Sequence, residues 1–221
     1  MTIDSAQKAC ISCSGELKSS ARAKRAASNC DLLIAADGGA KHLVSLGLQP
    51  RVIIGDMDFN TTDIFNGENS IVRIPSSPNK NKSDVELAIE YALKQGCREI
   101  LLIAAVGSRL DHTLGNVALV AGNPGRIAIL DGASTLVAVD RSEKCILHGQ
   151  VGTPVSLIPY GSGPFTVRTK GLKYSLGDES LHSATHGLSN ELSLTEACVC
   201  VLNGIMLVYI ENEDISFETQ Q

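Results

Sequence analysis

The sequence contains no tryptophan, and only 4% of its 221 residues are aromatic. It also has no excess of positive charge, because 19 lysines and arginines stand against 24 aspartates and glutamates, a formal net charge of -5. No overall positive field is therefore available to hold a nucleic-acid backbone or an anionic membrane. We expect neither a nucleic acid nor a membrane to be a partner of this chain.

Long apolar segments are absent as well. The longest uninterrupted apolar run, Ile100–Val106, is far shorter than the roughly 20 residues that cross a bilayer. The amino terminus is polar and acidic and lacks the features of a secretory signal. We therefore expect a globular, cytoplasmic protein, for which 43% of apolar residues supply an ordinary core.

The seven cysteines do not suggest a disulfide framework. Their number is odd and the chain is too long to depend on disulfides, so reduced thiols are expected. The spacing of Cys10 and Cys13 would fit a redox pair or half a zinc site, but the two lie in a strand-like run and not at a helix start. Cys198 and Cys200 should share one face of a strand, with no nearby residues to complete a tetrahedral metal site.

The pattern of apolar residues changes near Gly132. Before it, short runs of consecutive apolar residues alternate with helix-like stretches, which predicts a parallel sheet buried on both faces by helices. The clearest helix is predicted from Ser83 to about Gln95, with Ser83 as its N-terminal cap. Beyond Gly132, apolar and polar residues alternate in short runs that are separated by turns, which is typical of an antiparallel β domain. We expect an α/β domain over residues 1–133 and a β domain over residues 134–221.

Aspartates recur where the apolar runs of the α/β domain end. Asp37 ends one run, Asp56 and Asp58 end the next, and Asp111 follows a later run by five residues. Because the carboxyl ends of parallel strands line one crevice in which ligands bind, these carboxylates should converge there. Oxygen ligands without histidine or cysteine partners suit Mg²⁺, which binds carboxylates together with substrate phosphates. The pattern predicts a magnesium site for a phosphorylated substrate.

Each of these signals has a structural alternative. Asp56 and Asp58 would also fit a turn after a strand, and Asp84 would fit as an acid favoured by the helix dipole in a first turn. Gly38 and Gly39 would fit a tight turn, or they would let a phosphate approach backbone N–H groups. The sequence contains neither the P-loop motif G-x-x-x-x-G-K-[ST] nor the dinucleotide-binding motif G-x-G-x-x-G. Phosphate binding would therefore need a different arrangement of residues.

The segment Gly107–Asn116, with the sequence G-S-R-L-D-H-T-L-G-N, concentrates polar chemistry after an apolar run. Arg109 offers a fork for phosphate, and Asp111 offers a metal ligand or a base. His112 and Asn116 are four residues apart and would share a helical face. The combination favours a functional site over a chance cluster.

Five motifs in this order and spacing resemble the thiamine pyrophosphokinase family. They are A-D-G-G-A at 36–40, G-D-M-D at 55–58, K-S-D-V-E-L-A at 82–88, the segment at 107–116, and H-G-L-S-N-E at 186–191. The resemblance covers nearly the whole chain. It implies a Rossmann-like α/β nucleotide-binding domain, a C-terminal β-sandwich for thiamine binding and dimerisation, and a homodimer with active sites between subunits.

The resemblance also implies the reaction. The β,γ-diphosphate of ATP would pass as one unit to the hydroxyethyl oxygen of thiamine, giving thiamine diphosphate and AMP. Asp56, Asp58 and Asp84 would hold Mg²⁺ on the triphosphate, and Asp111 would lie beside the metal and the attacking hydroxyl. Such a transfer needs positioning and charge neutralisation more than a nucleophilic side chain, so this set of residues would be sufficient.

The remaining binding residues follow from the same resemblance. Those expected to bind ATP are Asp37, Gly38, Gly39, Lys82, Ser83, Arg109, His112 and Asn116. Ser189 and Asn190 would hydrogen-bond the pyrimidine of thiamine, although the residues alone favour a turn between strands. Phe59 stands where the family usually has serine, and the lost hydroxyl would alter ATP affinity or donor preference.

Two other functions are compatible with the sequence. One is a related diphosphokinase for another heterocyclic alcohol, such as a hydroxymethylpterin, and the H-G-L-S-N-E segment argues against it in favour of thiamine. The other is a catalytically silent sensor of thiamine or nucleotide. Retention of all five aspartate positions argues against the sensor, because a pure binder does not need a cluster of like charges.

Overall fold

The computed structural model describes residues 8–56, 71–75, 81–181 and 185–211, and the backbone of residues 214–219. Asp58 and Phe59, both singled out from the sequence, lie outside the described residues. The chain divides into two units, one of Met1–Val117 with Ile129–Gly132 and the other of Ala118–Ala128 with Ala133–Gln221.

The first unit is built on a parallel sheet. Its strands are β1 (Lys8–Ser12), β2 (Leu32–Ala36), β3 (Val52–Gly55), β4 (Val72–Pro75), β5 (Glu99–Ile103) and β6 (Ile127–Asp131), of which β6 belongs to this unit from Ile129 onwards. They lie in the order β6-β5-β1-β2-β3-β4, and β5, β1, β2, β3 and β4 pair in parallel. Cys10 of β1 lies between Leu33 of β2 and Leu101 of β5. The consecutive apolar runs are thus central strands, and the predicted parallel sheet is confirmed.

Four α-helices occur among the described residues: α1 (Ser20–Ser28), α2 (Ala40–Ser45), α3 (Asp84–Lys94) and α4 (Leu110–Ala121). Cys10 packs with Ala23 and Ala27 of α1 on one face of β1. Ala9 and Ile11 point to the opposite face of β1 and are equally buried. Both faces of the central strand are therefore covered, as an all-parallel sheet requires. No described helix is long and apolar enough to span a membrane.

Helix α3 begins and ends where its capping residues predict. The Oγ of Ser83 accepts a hydrogen bond from the backbone N–H of Glu86 at 3.1 Å, which satisfies one donor that the helix itself leaves unpaired. Ala88 and Ala92 on its apolar face are buried. The chain leaves the helix through Gly96, whose φ of 88° suits glycine after a helix end.

The second unit contains two antiparallel layers. One has the order β12-β9-β14-β7, from β7 (Ser134–Val139), β9 (Pro154–Tyr160), β12 (Gly187–Glu191) and β14 (Ile205–Glu211). The other has the order β11-β10-β13-β8-β15, from β8 (Glu143–His148), β10 (Thr166–Lys170), β11 (Gly177–Ser180), β13 (Glu196–Asn203) and β15 (Asp214–Thr219). Side chains from both layers, such as Leu157 and Val199, form one core, so the expected β-sandwich is confirmed.

Some elements carry little sequence signal. The buried residues of helix α1 are alanines, Ala23 and Ala27, and β12 is mostly polar, so neither element contains a run of large apolar residues. The segment Ala118–Ala128 belongs to the second unit, because the N–H of Gly125 donates to the Ala138 carbonyl at 2.9 Å and Ala128 packs on the sandwich core. The domain boundary drawn from the sequence at residue 133 stays a prediction.

Candidate functional site

The loops that follow the parallel strands come into close backbone contact. A Cβ atom added at Gly39, after β2, would lie 1.9 Å from the carbonyl oxygen of Ser12 at the end of β1. A Cβ added at Gly15 would lie 2.5 Å from the carbonyl oxygen of Ala104, which follows β5. Only glycine permits approaches this short. The carboxyl ends of β1, β2 and β5 therefore meet at one edge of the sheet, which is where an α/β sheet binds ligands.

Buried hydrogen bonds hold this edge together. The Oγ of Ser12 donates to the carbonyl oxygen of Gly39 at 2.9 Å, in a buried position. The Nε2 of His42 on α2 lies 2.9 Å from the carbonyl oxygen of Gly15. Ser12 and His42 were not singled out from the sequence, and neither carries a motif by which sequence reasoning could have found it. Their roles depend on contacts between residues 27 positions apart in the chain.

Asp37 directly follows β2 and begins a short 3-10 turn, Asp37–Gly39. Its φ of 50° lies in the left-handed region, which few residues other than glycine adopt. The chain is closely packed here, because a Cβ at Gly55 would lie 3.0 Å from the Cα of Asp37. Ala104, after β5, has a similar φ of 51°. Strained residues at strand ends are a recurrent feature of functional sites.

The described carboxylates predicted to bind metal lie at the ends of two elements. Asp56 directly follows β3, and Asp84 is the first residue of α3, which packs against β1, β2 and β3. Asp58, the third predicted ligand, lies outside the described residues. Within the described part of the chain, no group of three or more histidine, cysteine, aspartate or glutamate side chains could hold a metal ion. The three-carboxylate ligand set stays a prediction.

Lys82 and Ser83, predicted to bind ATP, lie just before α3. The Nζ of Lys82 forms an ion pair with Glu90, two turns along the helix. The hydrogen bond between them raises the pKa of Lys82 and lowers the pKa of Glu90. Both side chains are partly exposed, so water and salt weaken this pair and a phosphate could replace Glu90 as the partner of Lys82.

Arg109 and Asp111 form a bidentate pair at the start of α4. The Nε of Arg109 lies 2.9 Å from Oδ1 of Asp111, and its Nη2 lies 2.6 Å from Oδ2. These hydrogen bonds hold the pKa of the Asp111 carboxyl well below its usual range, so Asp111 is ionised throughout the neutral pH range. The side chains are 71% and 64% exposed, and the pair is therefore accessible to a ligand.

His112 and Asn116 lie four residues apart on α4 but in different surroundings. His112 is exposed, whereas Asn116 is only 7% exposed. The Nδ2 of Asn116 donates to the carbonyl oxygen of Ala105 at 2.8 Å, and the Oγ1 of Thr113 accepts from the N–H of Gly107 at 3.3 Å. Asn116 and Thr113 thus position the loop between β5 and α4. The sequence indicated Asn116 but not Thr113.

Ser189 and Asn190 lie inside β12, so the alternative that they form a turn between strands is wrong. Ser189 has a φ of 59°, its N–H donates to the Oγ of Ser156 at 3.2 Å, and the pairing of β12 with β9 shifts at this point. Asn190 is 6% exposed. Its Oδ1 accepts from the N–H of Tyr174 at 3.0 Å, and its Nδ2 donates to the Tyr174 carbonyl at 2.8 Å. These two bonds connect β12 to the segment that contains Tyr174.

The burial of the C-I-S-C segment argues against the two functions that its spacing allows. Cys10 and Cys13 are both buried, and burial raises the pKa of Cys13 to about 12. A thiol in that state is a poor nucleophile and a poor metal ligand. The expectation that Cys10 and Cys13 form neither a redox pair nor part of a zinc site stays a prediction.

The first unit belongs to the class of open parallel α/β sheets that bind ligands at the carboxyl ends of their strands. Comparison with known proteins identifies the family. The model of the thiamin pyrophosphokinase catalytic domain matches residues 23–130, and the model of the thiamin pyrophosphokinase vitamin B1 binding domain matches residues 137–206. Together these matches cover well over half of the chain, and the chain belongs to the thiamine pyrophosphokinase family.

Individual relatives agree with this assignment. The chain is 25% identical over 189 residues to thiamine pyrophosphokinase of Bacillus subtilis (strain 168), covering 80% of this chain and 86% of that protein. It is 24% identical over 177 residues to thiamine pyrophosphokinase 1 of Oryza sativa subsp. japonica, covering 68% of this chain and 67% of that protein. The activity that these matches support is thiamine diphosphokinase, and none of them favours a pterin diphosphokinase or a silent sensor.

Solved structures share the fold. The crystal structure of thiamine pyrophosphokinase from Bacillus subtilis superposes with a TM-score of 0.80 at 22% identity, covering 93% of this chain and 99% of that one. Thiamin pyrophosphokinase from Candida albicans superposes with a TM-score of 0.76 at 14% identity, covering 93% of this chain and 89% of that one. The two-domain architecture expected from the sequence is confirmed.

Proposed function

We propose that this chain transfers the diphosphate of ATP, as one unit, to thiamine, giving thiamine diphosphate and AMP. The observation that carries the proposal is the match of the catalytic-domain model to residues 23–130, which include the strand-end loops of the first unit. The match of the vitamin B1 binding model to residues 137–206 supports thiamine as the acceptor. No covalent intermediate with the protein is needed, because diphosphate transfer depends mainly on positioning and charge neutralisation.

Asp111 and Arg109 are the proposed groups nearest the reacting atoms. The bidentate contact at 2.9 Å and 2.6 Å fixes the orientation of the ionised Asp111 carboxylate, so that it can accept a hydrogen bond from the attacking hydroxyl of thiamine. Two of the three guanidinium nitrogens of Arg109 contact Asp111. A phosphate oxygen would bind the third, Nη1, while the existing contact keeps the planar group in place.

Magnesium fits the donors at this edge of the sheet. Asp56 and Asp84 are hard oxygen ligands, and Mg²⁺ usually binds one or two protein carboxylates while substrate phosphates and water complete its octahedron. Two carboxylates are therefore sufficient, and Asp58 would supply a further ligand or orient a water. Bound there, Mg²⁺ would neutralise charge on the triphosphate and hold it in line with the acceptor.

Tyr174 is the proposed aromatic contact of thiamine. Its ring is 61% exposed, and among the described residues it is the one large aromatic side chain with such exposure. The two hydrogen bonds from Asn190 to the Tyr174 backbone hold it in place. Aromatic faces attract organic cations, and the thiazolium ring of thiamine carries a positive charge. In this proposal Asn190 positions Tyr174, while the hydroxyl of Ser189 contacts the pyrimidine.

A homodimer with active sites between subunits is also proposed. Leu110 and Leu114 on α4 are 67% and 60% exposed and lie one turn apart, beside Asp111. An exposed apolar pair in such a position favours an interaction surface.

The seven cysteines are all free, which supports a reducing compartment, and we propose the cytoplasm.

The decisive experiment incubates the pure protein with ATP, Mg²⁺ and thiamine and separates the products. AMP and thiamine diphosphate in equal amounts are expected. ADP and thiamine monophosphate would contradict the proposal, because they would show transfer of a single phosphoryl group. Parallel reactions with a hydroxymethylpterin test the alternative acceptor, and binding of thiamine without any product would identify a sensor.

A further inference from the structure

Two cysteine side chains of the sandwich contact each other on the face of their layer that the core does not use. Cys198 and Cys200 are partly exposed, and their Sγ atoms lie 3.5 Å apart on β13. The residues that alternate with them, Ala197, Val199 and Val201, are buried in the core of the sandwich. Both thiols therefore point away from that core on one face of the strand. The proposed function uses neither of them.

The strand keeps these two thiols from forming a disulfide with each other. Residues two apart on a strand have Cβ atoms roughly 6.6 Å apart, because each residue advances the chain by about 3.3 Å. A disulfide needs Cβ atoms within about 4.5 Å of each other. At both positions β13 pairs with β10 on one side and with β8 on the other, which fixes the longer spacing. The pair is therefore a preorganised dithiol that does not close on itself.

The surroundings of this dithiol disfavour a metal cation. Three basic residues flank it on the same face by strand register: Lys144 of β8, and Arg168 and Lys170 of β10. Two acidic residues offset part of this charge: Asp178, which is paired with Arg168, and Glu218, which lies opposite Lys144 on β15. Within the described residues, no third histidine, cysteine, aspartate or glutamate joins the two thiols to complete a metal site. A divalent cation is poorly accommodated here, whereas a neutral compound that bonds to sulfur is not repelled.

The distance between the sulfur atoms indicates which neutral ligand fits. Two thiolates on a tetrahedral zinc ion, with bonds of about 2.3 Å, lie roughly 3.8 Å apart, and at the same bond length on a linear centre they lie roughly 4.6 Å apart. Trivalent arsenic forms bonds to sulfur of similar length, and its pyramidal geometry makes the angle between them narrower than the tetrahedral angle. The observed 3.5 Å agrees with that narrower angle.

We propose that Cys198 and Cys200 together bind one trivalent arsenic centre. With an organic arsenoxide, two As–S bonds form as the bonds between arsenic and oxygen break, and the oxygen leaves as water with both thiol protons. No atom changes its oxidation state, so the step needs no oxidant or reductant. The second As–S bond closes a ring within the protein, because the neighbouring thiol is already present at a high effective concentration.

The other five cysteines do not offer a second exposed pair. Cys10, Cys13, Cys97 and Cys145 are buried. Cys30 is partly exposed, and its thiol donates to the carbonyl oxygen of Ala26 at 3.4 Å. Cys30 therefore serves as the single-thiol control for the dithiol.

The test incubates the reduced full-length protein with one equivalent of phenylarsine oxide. The mass of the intact protein should show one arsenical per chain. Iodoacetamide added to the native protein should then modify Cys198 and Cys200 much less than without the arsenical, while Cys30 is modified equally in both samples. A dithiol such as dimercaptopropanol should remove the arsenical, and an equal concentration of a monothiol should not. Sodium arsenite, run in parallel, should protect the same two thiols.

Serine variants test whether both thiols are required. Cys198→Ser and Cys200→Ser should each weaken arsenical binding by about 100-fold or more, because the second bond is lost, and Cys30→Ser should bind as the wild type does. Melting curves check that each variant is folded, and the protection experiment on the wild type gives an answer even where a variant is not.

Three results would overturn this assignment. The first is a wild-type protein that takes up no arsenical at one equivalent. The second is protection at Cys30 in place of the pair, or full binding in the serine variants of Cys198 and Cys200. The third is a pair that binds Zn²⁺ in a parallel titration but not the arsenical, which would make it a metal site. None of these readouts uses ATP or thiamine, so they do not depend on the proposed activity.

Discussion

Asp111, Asn116 and Asn190 each form side-chain hydrogen bonds within the protein. Their orientation is therefore set when the protein folds, and substrate binding does not have to order them. A substitution at such a residue can lower both stability and activity, because a partner is left without its hydrogen bond. Kinetic constants and melting curves have to be measured on the same variant.

Asp56→Asn tests the metal site. We expect turnover to be lost while the fold persists, because Asp56 follows β3 at the edge where the carboxylates gather. Removing one of several like charges relieves repulsion, so the melting temperature without Mg²⁺ should hold or rise. Asn retains the size of the side chain. A variant that keeps most of its turnover at saturating Mg²⁺ would exclude Asp56 as a ligand.

Asn190→Ala tests the acceptor site. The variant leaves the N–H and the carbonyl of Tyr174 without their partner, which typically costs about 1 to 3 kcal/mol of stability. If Asn190 positions Tyr174 for thiamine, KM for thiamine should rise more than KM for ATP. Tyr174→Phe should keep the thiamine KM near that of the wild type, and Tyr174→Ala should raise it. A lower melting temperature with both KM values unchanged would give Asn190 a purely structural role.

Arg109→Gln tests whether the ion pair between Arg109 and Asp111 at the start of α4 contributes to catalysis. Asp111 has a lowered pKa in the folded protein, so the stability from this pair is present above the unfolded pKa, about 3.9, and is lost as pH falls through the folded pKa. Between pH 5 and pH 8 Asp111 stays ionised in both proteins. We therefore expect a loss of kcat/KM that is constant over this range.

Arg168→Gln is the matched control for that variant. Arg168 and Asp178 form a similar bidentate pair, with both contacts at 2.6 Å, in a part of the sandwich that carries no proposed site residue. Its melting temperature should change by about as much as that of Arg109→Gln, without a change in kcat/KM. An equal loss of kcat/KM in both variants would show that Arg109 has no specific role.

At the scale of elements, the strand-end loops are organised by glycines that accept no side chain. Gly39→Ala should destabilise the protein severely or prevent folding, because its Cβ would lie 1.9 Å from the carbonyl oxygen of Ser12. Gly38→Ala is the neighbouring control, since the nearest atom to its Cβ would be the Oγ of Ser14 at 3.3 Å, which belongs to a small side chain. A Gly39→Ala protein with a wild-type melting temperature would show that the loops do not pack in this way.

At the scale of the whole molecule, the proposed dimer makes a prediction about mixtures of variants. Asp56→Asn alters the first unit and Asn190→Ala the second. If each active site draws on both subunits, subunit exchange should create heterodimers with one intact site, and activity should reach roughly a quarter of the wild-type value. The assay uses thiamine well below its KM. A mixture no more active than the mean of its two parents would contradict shared sites.

Much of this architecture was predictable because it depends on local patterns. Consecutive apolar residues identified the parallel strands, alternation identified the sandwich, and Ser83 with Gly96 marked the ends of α3, since burial and capping are properties of neighbouring residues. The placement of aspartates after apolar runs likewise indicated the ligand-binding edge.

Long-range contacts are what the sequence by itself does not reveal. The hydrogen bond from Ser12 to Gly39 and the hydrogen bonds between Asn190 and Tyr174 join residues that are distant in the chain. The left-handed conformation of Asp37 and its close approach to Gly55 likewise appear only in the folded chain. The sequence thus determined which elements form, and it predicted which end of the sheet carries the chemistry. Tertiary structure decided which side chains are buried and which residues they contact, because that depends on partners brought together by folding.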